Sequence, residues 1–305
     1  MGVILKRTLQ ETLKLSAVII SLAAGLLGGL VLAKAGAVDN VPAFSSYLNY
    51  RLIEQHITVF FLICGAMLMV IVSAVGTGLI AGEVHEGTFR ILVSKPNSRV
   101  SILLGKVLGM LIGSLMLMVM SLSTMYVMNY LCGNYDGNIF IKLLSYFPAY
   151  LMYGLIVTLF FSSLAVLLSC VAKKRIIALL PMLLVMIVVL VLPLVVRLVL
   201  SLRGGAGLDK LAFVDLNYHF GSMFRWCTEF FGGIKGTSGQ LEIPTLLMNM
   251  FKQTAIDPDI AHQTNGAVLT TVNDTIPVTV LLGVYGALTL INYAAGFAII
   301  RRKDV

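Results

Sequence analysis

The sequence predicts an all-α polytopic membrane protein: six transmembrane helices, an N-terminal amphipathic interfacial helix, and a long outer loop before the last span. Three observations carry this. The chain is 58% hydrophobic and only 12% charged over 305 residues, against roughly 45–50% and about 25% in ordinary soluble domains. Several apolar runs reach the roughly 20 residues that cross about 30 Å of hydrocarbon. Basic residues gather at the ends of these runs rather than along a face.

Residues 1–14 open the chain with Leu5, Leu9 and Leu13 every four positions among Lys6, Arg7, Gln10, Glu11 and Lys14. That period places one apolar stripe on a helix lying in the membrane interface; the alternative is an extension of the first span. The first apolar run continues to full span length without a cleavage site, which argues against a cleaved signal peptide.

The spans are expected at about Leu15–Ala33, Ile57–Ala81, Val100–Met128, Ala149–Ala172, Ile176–Leu200 and Pro277–Ile300. Domain organisation follows: 1–200 for the amphipathic helix and five spans, 201–276 for an extracytoplasmic connection with short interfacial helices, and 277–305 for the sixth span and a basic tail. The third span exceeds bilayer thickness and must tilt or project. With the N-terminus inside, thirteen Lys and Arg residues lie in short cytoplasmic segments, including Lys173, Lys174 and Arg175. The two short outer loops carry only Lys34, Arg51 and Lys142. This is the positive-inside pattern of a plasma-membrane protein with both termini cytoplasmic.

The connection at 201–276 holds glycine clusters, Pro244, Pro258, and aromatic stretches at Phe213–Phe231 and Ile243–Phe251, with the single Trp226. These read as short helices on the outer membrane surface, where aromatics are favoured.

The net charge of +8 suits anionic headgroups better than nucleic acid, for which no motif is present. The four cysteines have no metal-ligand spacing. Cys64 and Cys170 fall in apolar runs, whereas Cys132 and Cys227 share the outer face, and a disulfide between them is open. No zinc motif, nucleophile arrangement or P-loop occurs, and His56, His85, His219 and His262 are scattered. Span interiors carry almost no charge, which disfavours ion-coupled transport; Glu54, His56 and Arg197 read as interfacial anchors. Gly105, Gly109 and Gly113 form overlapping G-x-x-x-G steps that permit close helix approach, either between subunits or within the chain. Gly25/Gly29 and Gly78/Gly82 repeat the spacing. The methionines of the third span, from Met110 to Met128, offer either a pliable cargo surface or ordinary core filling.

Between the second and third spans, Glu83 and Glu86 flank a helical turn, Phe89, Leu92 and Val93 share a face, and Pro96 ends the element. Asn97 or Ser98 can cap the next helix. This is either a plain interfacial loop or a short helix that seats in a partner and carries its movement into the membrane.

The run Glu83–Lys106 resembles the type-2 ATP-binding-cassette exporter permease family. The matching residues are Glu83 or Glu86, Gly87-Thr88, Ile91-Leu92, Pro96, Ser98-Arg99 and Gly105-Lys106. The tail Phe297–Val305 resembles the family's terminus, and the whole layout matches. The long connection before the last span departs from it.

The resemblance implies a non-enzymatic transport subunit. It would pair with a cytoplasmic ABC ATPase carrying ATP and Mg, with a second permease copy and with membrane lipid. The segment from Glu83 to Arg99 would be the coupling helix. In it Glu83 and Glu86 are the polar contacts, Phe89 the apolar one, and Gly87, Thr88, Arg90, Pro96 and Arg99 complete the site. The cargo would be an amphipathic or hydrophobic peptide, drug or lipid-linked molecule moving outward. Two other readings stand beside it: an ABC-type sensor or immunity complex that removes an antimicrobial peptide from the membrane, and an ATPase-independent secondary carrier.

Overall fold

The computed structural model describes residues 2–35, 44–89, 98–133, 137–202, 208–233, 250 and 276–302. Every regular element among them is helical. In order these are α1 (Gly2–Thr12), α2 (Leu15–Ala35), α3 (Phe44–Thr58), a π-helix (Val59–Met67), α4 (Leu68–Gly76), α5 (Ala81–His85) and α6 (Arg99–Cys132). Then come α7 (Gly137–Leu144), α8 (Phe147–Val171), α9 (Arg175–Leu190), α10 (Leu192–Leu202), α11 (Leu208–Ala212), α12 (Leu216–Glu229) and α13 (Val278–Arg302). Six helical stretches are long and apolar enough to cross a membrane.

α6 and α8 are the central posts. α2 packs along α6, and α13 and α4 pack along α8. Gly25 and Gly29 bring the α2 backbone against Ser121 and Met125 of α6. Met110, Met118 and Met125 are buried in the core, while Met116 is half exposed, so the methionine run divides between packing and surface.

Three spans differ from the sequence expectation. The second begins at Leu48, within α3, rather than at Ile57, and contains the π-helix. Its i→i+5 bonding widens the helix, and the Leu68 N–H reaches back to the Ile63 carbonyl. The fifth span is divided at Val191, just before Pro193, which has no backbone N–H with which to continue the helix. Before the fourth span lies α7, which buries Ile139 and Leu143.

The largest departure is α12. Instead of lying on a surface, it inserts among the spans, burying Phe220, Met223, Phe224 and Cys227 against the core. Phe224 meets the Tyr153 ring edge-on at 4.9 Å and stacks near Tyr150 at 6.0 Å. Asp215 caps this helix by accepting from the Tyr218 N–H at 3.0 Å. The stretch Ile243–Phe251, apart from Met250, and both prolines of the connection lie outside the described residues.

Burial at this end requires polar pairing, and this corrects the anchor reading. Arg197 of α10 is fully buried; it ion-pairs with Asp215 and lies over the Tyr218 ring at 4.7 Å. His56 is fully buried, donating from Nδ1 to the Leu52 carbonyl at 2.7 Å. Glu54 accepts from Arg51 at 3.1 Å, and Arg51 also donates to the Leu32 carbonyl at 2.5 Å and to Asn129 at 3.2 Å. His219 donates from Nε2 to the Ala212 carbonyl at 2.8 Å and accepts from the Tyr285 hydroxyl at 2.9 Å. Burial pushes the His219 pKa down, so the ring is neutral. Cys132 and Cys227 do not pair: both are free, the first exposed and the second buried. The Cys227 thiol is raised to about 12 by burial.

Candidate coupling site at the basic face

The start of α2, the turn after α4, the α8–α9 junction and the end of α13 share one face of the molecule. Here the second span bends into α5, and its backbone N–H groups lose their helical partners. Ser169 of α8 replaces them. Its hydroxyl oxygen accepts from the Ile80 and Ala81 N–H groups at 3.0 Å each and donates to the Thr77 carbonyl at 2.9 Å. The bend is thereby fastened to a central post.

α5 ends at His85, and Gly87 follows with φ +72°. This left-handed geometry at a helix C-terminus is what glycine alone adopts without strain. Thr88 then donates to the Glu83 carbonyl at 3.4 Å. The result is a compact knob, with His85, Glu86 and Gly87 at its exposed tip.

Two of the expected contact residues point the other way. Glu83 is buried and ion-pairs with Lys106 of α6. Lys106 also donates to the Leu79 carbonyl at 2.5 Å. Phe89 is buried in a small apolar cluster with Ile80, Leu103, Val107, Val166 and Ile300, a cluster that spans the turn, α6, α8 and α13. Arg99 donates to the Arg301 carbonyl at 3.4 Å, linking the start of α6 to the end of α13. Ser98 caps α6, accepting from the Ser101 N–H at 3.1 Å. Arg90 and Pro96 lie outside the described residues.

The glycine row of α6 meets α1. Gly105 is buried. A Cβ on Gly109 would stand 2.9 Å from the Leu5 carbonyl oxygen, and one on Gly113 would stand 2.7 Å from the Thr12 methyl. The leucine stripe of α1 is only half-buried, whereas Thr8 and Thr12 are fully buried. Their hydroxyls donate to carbonyls of their own helix, Thr8 to Ile4 at 3.0 Å and Thr12 to Thr8 at 2.8 Å. Their methyls are left for the glycine row.

The family model for ABC-2 family transporter proteins matches residues 38–305. The chain belongs to this family. No curated protein matches it. As an ABC-2 permease, the chain is a multi-pass membrane transport subunit that works with an ABC ATPase subunit. In this ABC-2 chain, sequence reasoning matched Lys106 to the family motif without giving it a buried partner, and it passed over Ser169 and the α1 threonines. Lys106 was legible in principle, as a lone lysine inside the apolar run L-L-G-K-V-L-G-M. Ser169 and the threonines gave no such signal.

Proposed function

We propose that this permease moves an amphipathic or hydrophobic molecule (a peptide, drug or lipid-linked compound) outward from the cytoplasm or inner leaflet. A separate ABC ATPase, binding ATP and Mg, drives it from the cytoplasmic side, where both termini also lie. The α5 knob is the coupling element. Its tip, Glu86 with Gly87, is the docking contact, and Glu83 and Phe89 are the internal mounts that pass the push onward.

The observation that carries this reading is the way the knob is fixed. One ion pair ties it to α6, one hydroxyl ties it to α8, and the apolar cluster that holds Phe89 spans α6, α8 and α13. A push on the tip therefore reaches three spans at once, whereas a loose interfacial loop would absorb it. Exposed leucines and isoleucines along α9, among them Leu180, Leu184 and Ile187, leave an apolar face for lipid or a second permease copy. The cell membrane is the expected location.

The test is the charge reversal Glu86→Lys. The variant should reach the membrane normally yet fail to co-purify its ATPase. Undiminished co-purification would remove Glu86 from the contact and the knob from its role.

A further inference from the structure

Beside the knob lies a cavity of about 370 Å³, open on one side and lined by the α1–α2 junction, α4 and α5. Its walls are mixed. Ile20 and Val70 are apolar and exposed toward the surroundings of the helices, and the rim is charged. Most of those charges are already engaged. Arg7 bonds Glu11 at 3.1 Å, Glu83 holds Lys106, and Arg175 donates to the Ala74 carbonyl at 2.8 Å. Lys14 and Glu86 also line the cavity, and neither side chain has a partner among the described residues.

Among the described residues, Lys14 and Glu86 thus offer an ammonium and a carboxylate on one cavity, and with the apolar wall leading away they define a ligand. It must carry an anion, a hydrogen-bonding cation and a hydrocarbon tail. We propose that this cavity binds one phospholipid with a phosphoethanolamine head. The phosphate lies on Lys14 and the ammonium on Glu86, with the acyl chains running past Ile20 and Val70. A headgroup with phosphate alone would leave Glu86 facing a like charge. A trimethylated ammonium has no N–H to give, and charge-assisted hydrogen bonds are the strong ones. The inference does not need the proposed export function, but it shares Glu86 with the proposed docking contact, so it is tested without ATPase.

The experiment is native mass spectrometry of the full chain, delipidated in detergent without ATPase. It is titrated separately with phosphatidylethanolamine, phosphatidylglycerol and phosphatidylcholine. One phosphatidylethanolamine per chain should be retained at a concentration about tenfold below the other two, the ratio expected for one lost charged hydrogen bond. Lys14→Ala and Glu86→Gln should each abolish the preference. Lys6→Ala, an exposed lysine of α1 outside the cavity, should keep it. Soluble glycerophosphoethanolamine should not displace the lipid. Equal retention of all three lipids, or a preference that survives both cavity variants, overturns the proposal. Displacement by the soluble head at the lipid's own concentration overturns the lipid assignment.

Discussion

The Lys106 ammonium is shared between the Glu83 carboxylate and the Leu79 carbonyl, so one side chain of α6 holds both α5 and the turn that precedes it. Removing one member of such a pair strands the other as an uncompensated buried charge, at a cost of about 3–5 kcal/mol. Lys106→Met should therefore lower the melting temperature of the purified chain. Lys106→Met combined with Glu83→Gln should recover most of it. In the assembled transporter both forms should bind ATPase yet show ATP hydrolysis that no longer responds to cargo. A Lys106→Met chain as stable and as well coupled as the wild type would contradict the mount.

The α1–α6 contact tolerates no added bulk, since overpacking typically costs about 1–3 kcal/mol. Gly113→Val should displace α1. In a background whose native cysteines are replaced, Thr8→Cys is expected to react slowly with a maleimide. Adding Gly113→Val should make it react rapidly. Slow labelling in both would show that α1 stays seated.

Acid should loosen α12. His219 is neutral in place because burial depresses its pKa, opposed by the Ala212 carbonyl and Asp215 and reinforced by Arg197. The released ring takes a proton near its ordinary value of about 6.5. Below that pH the unfolded form binds more protons, so stability is whole above it and falls on acidification. The melting temperature should drop from pH 8 to pH 5. His219→Gln should show a smaller drop, and equal drops would assign the effect elsewhere.

Cys132 is exposed, whereas Cys64, Cys170 and Cys227 are buried. A membrane-impermeant maleimide applied to intact cells should label Cys132 alone. Labelling only after permeabilisation would reverse the orientation proposed above.

Hydropathy exposed the spans because length and apolarity are local properties of a run. The π-helix was not legible, since V-F-F-L-I-C-G-A-M has the composition of any apolar helix. α12 was placed on the outer surface because aromatics favour the interface, and its polar residues gave no sign of inward packing. Asn217, His219 and Arg225 look like water-facing residues until their partners on other elements are known. Asn217 finds the Val189 carbonyl at 3.0 Å and His219 finds Tyr285, pairings that only tertiary structure supplies. The turn at 83–89 was found by its residue types. Which of them face inward was decided by Lys106 and the α13 terminus, both distant in sequence.

The threonine face of α1 and the glycine face of α2 both close on α6. Synthesis proceeds from the N-terminus, so a ribosome delivers these two helices with the whole second span still to come before their shared partner exists. Neither can reach its final neighbours as it emerges. The opening segment must wait at the bilayer surface and be gathered in afterwards, which makes arrival of the third span the event that assembles the front half of the molecule.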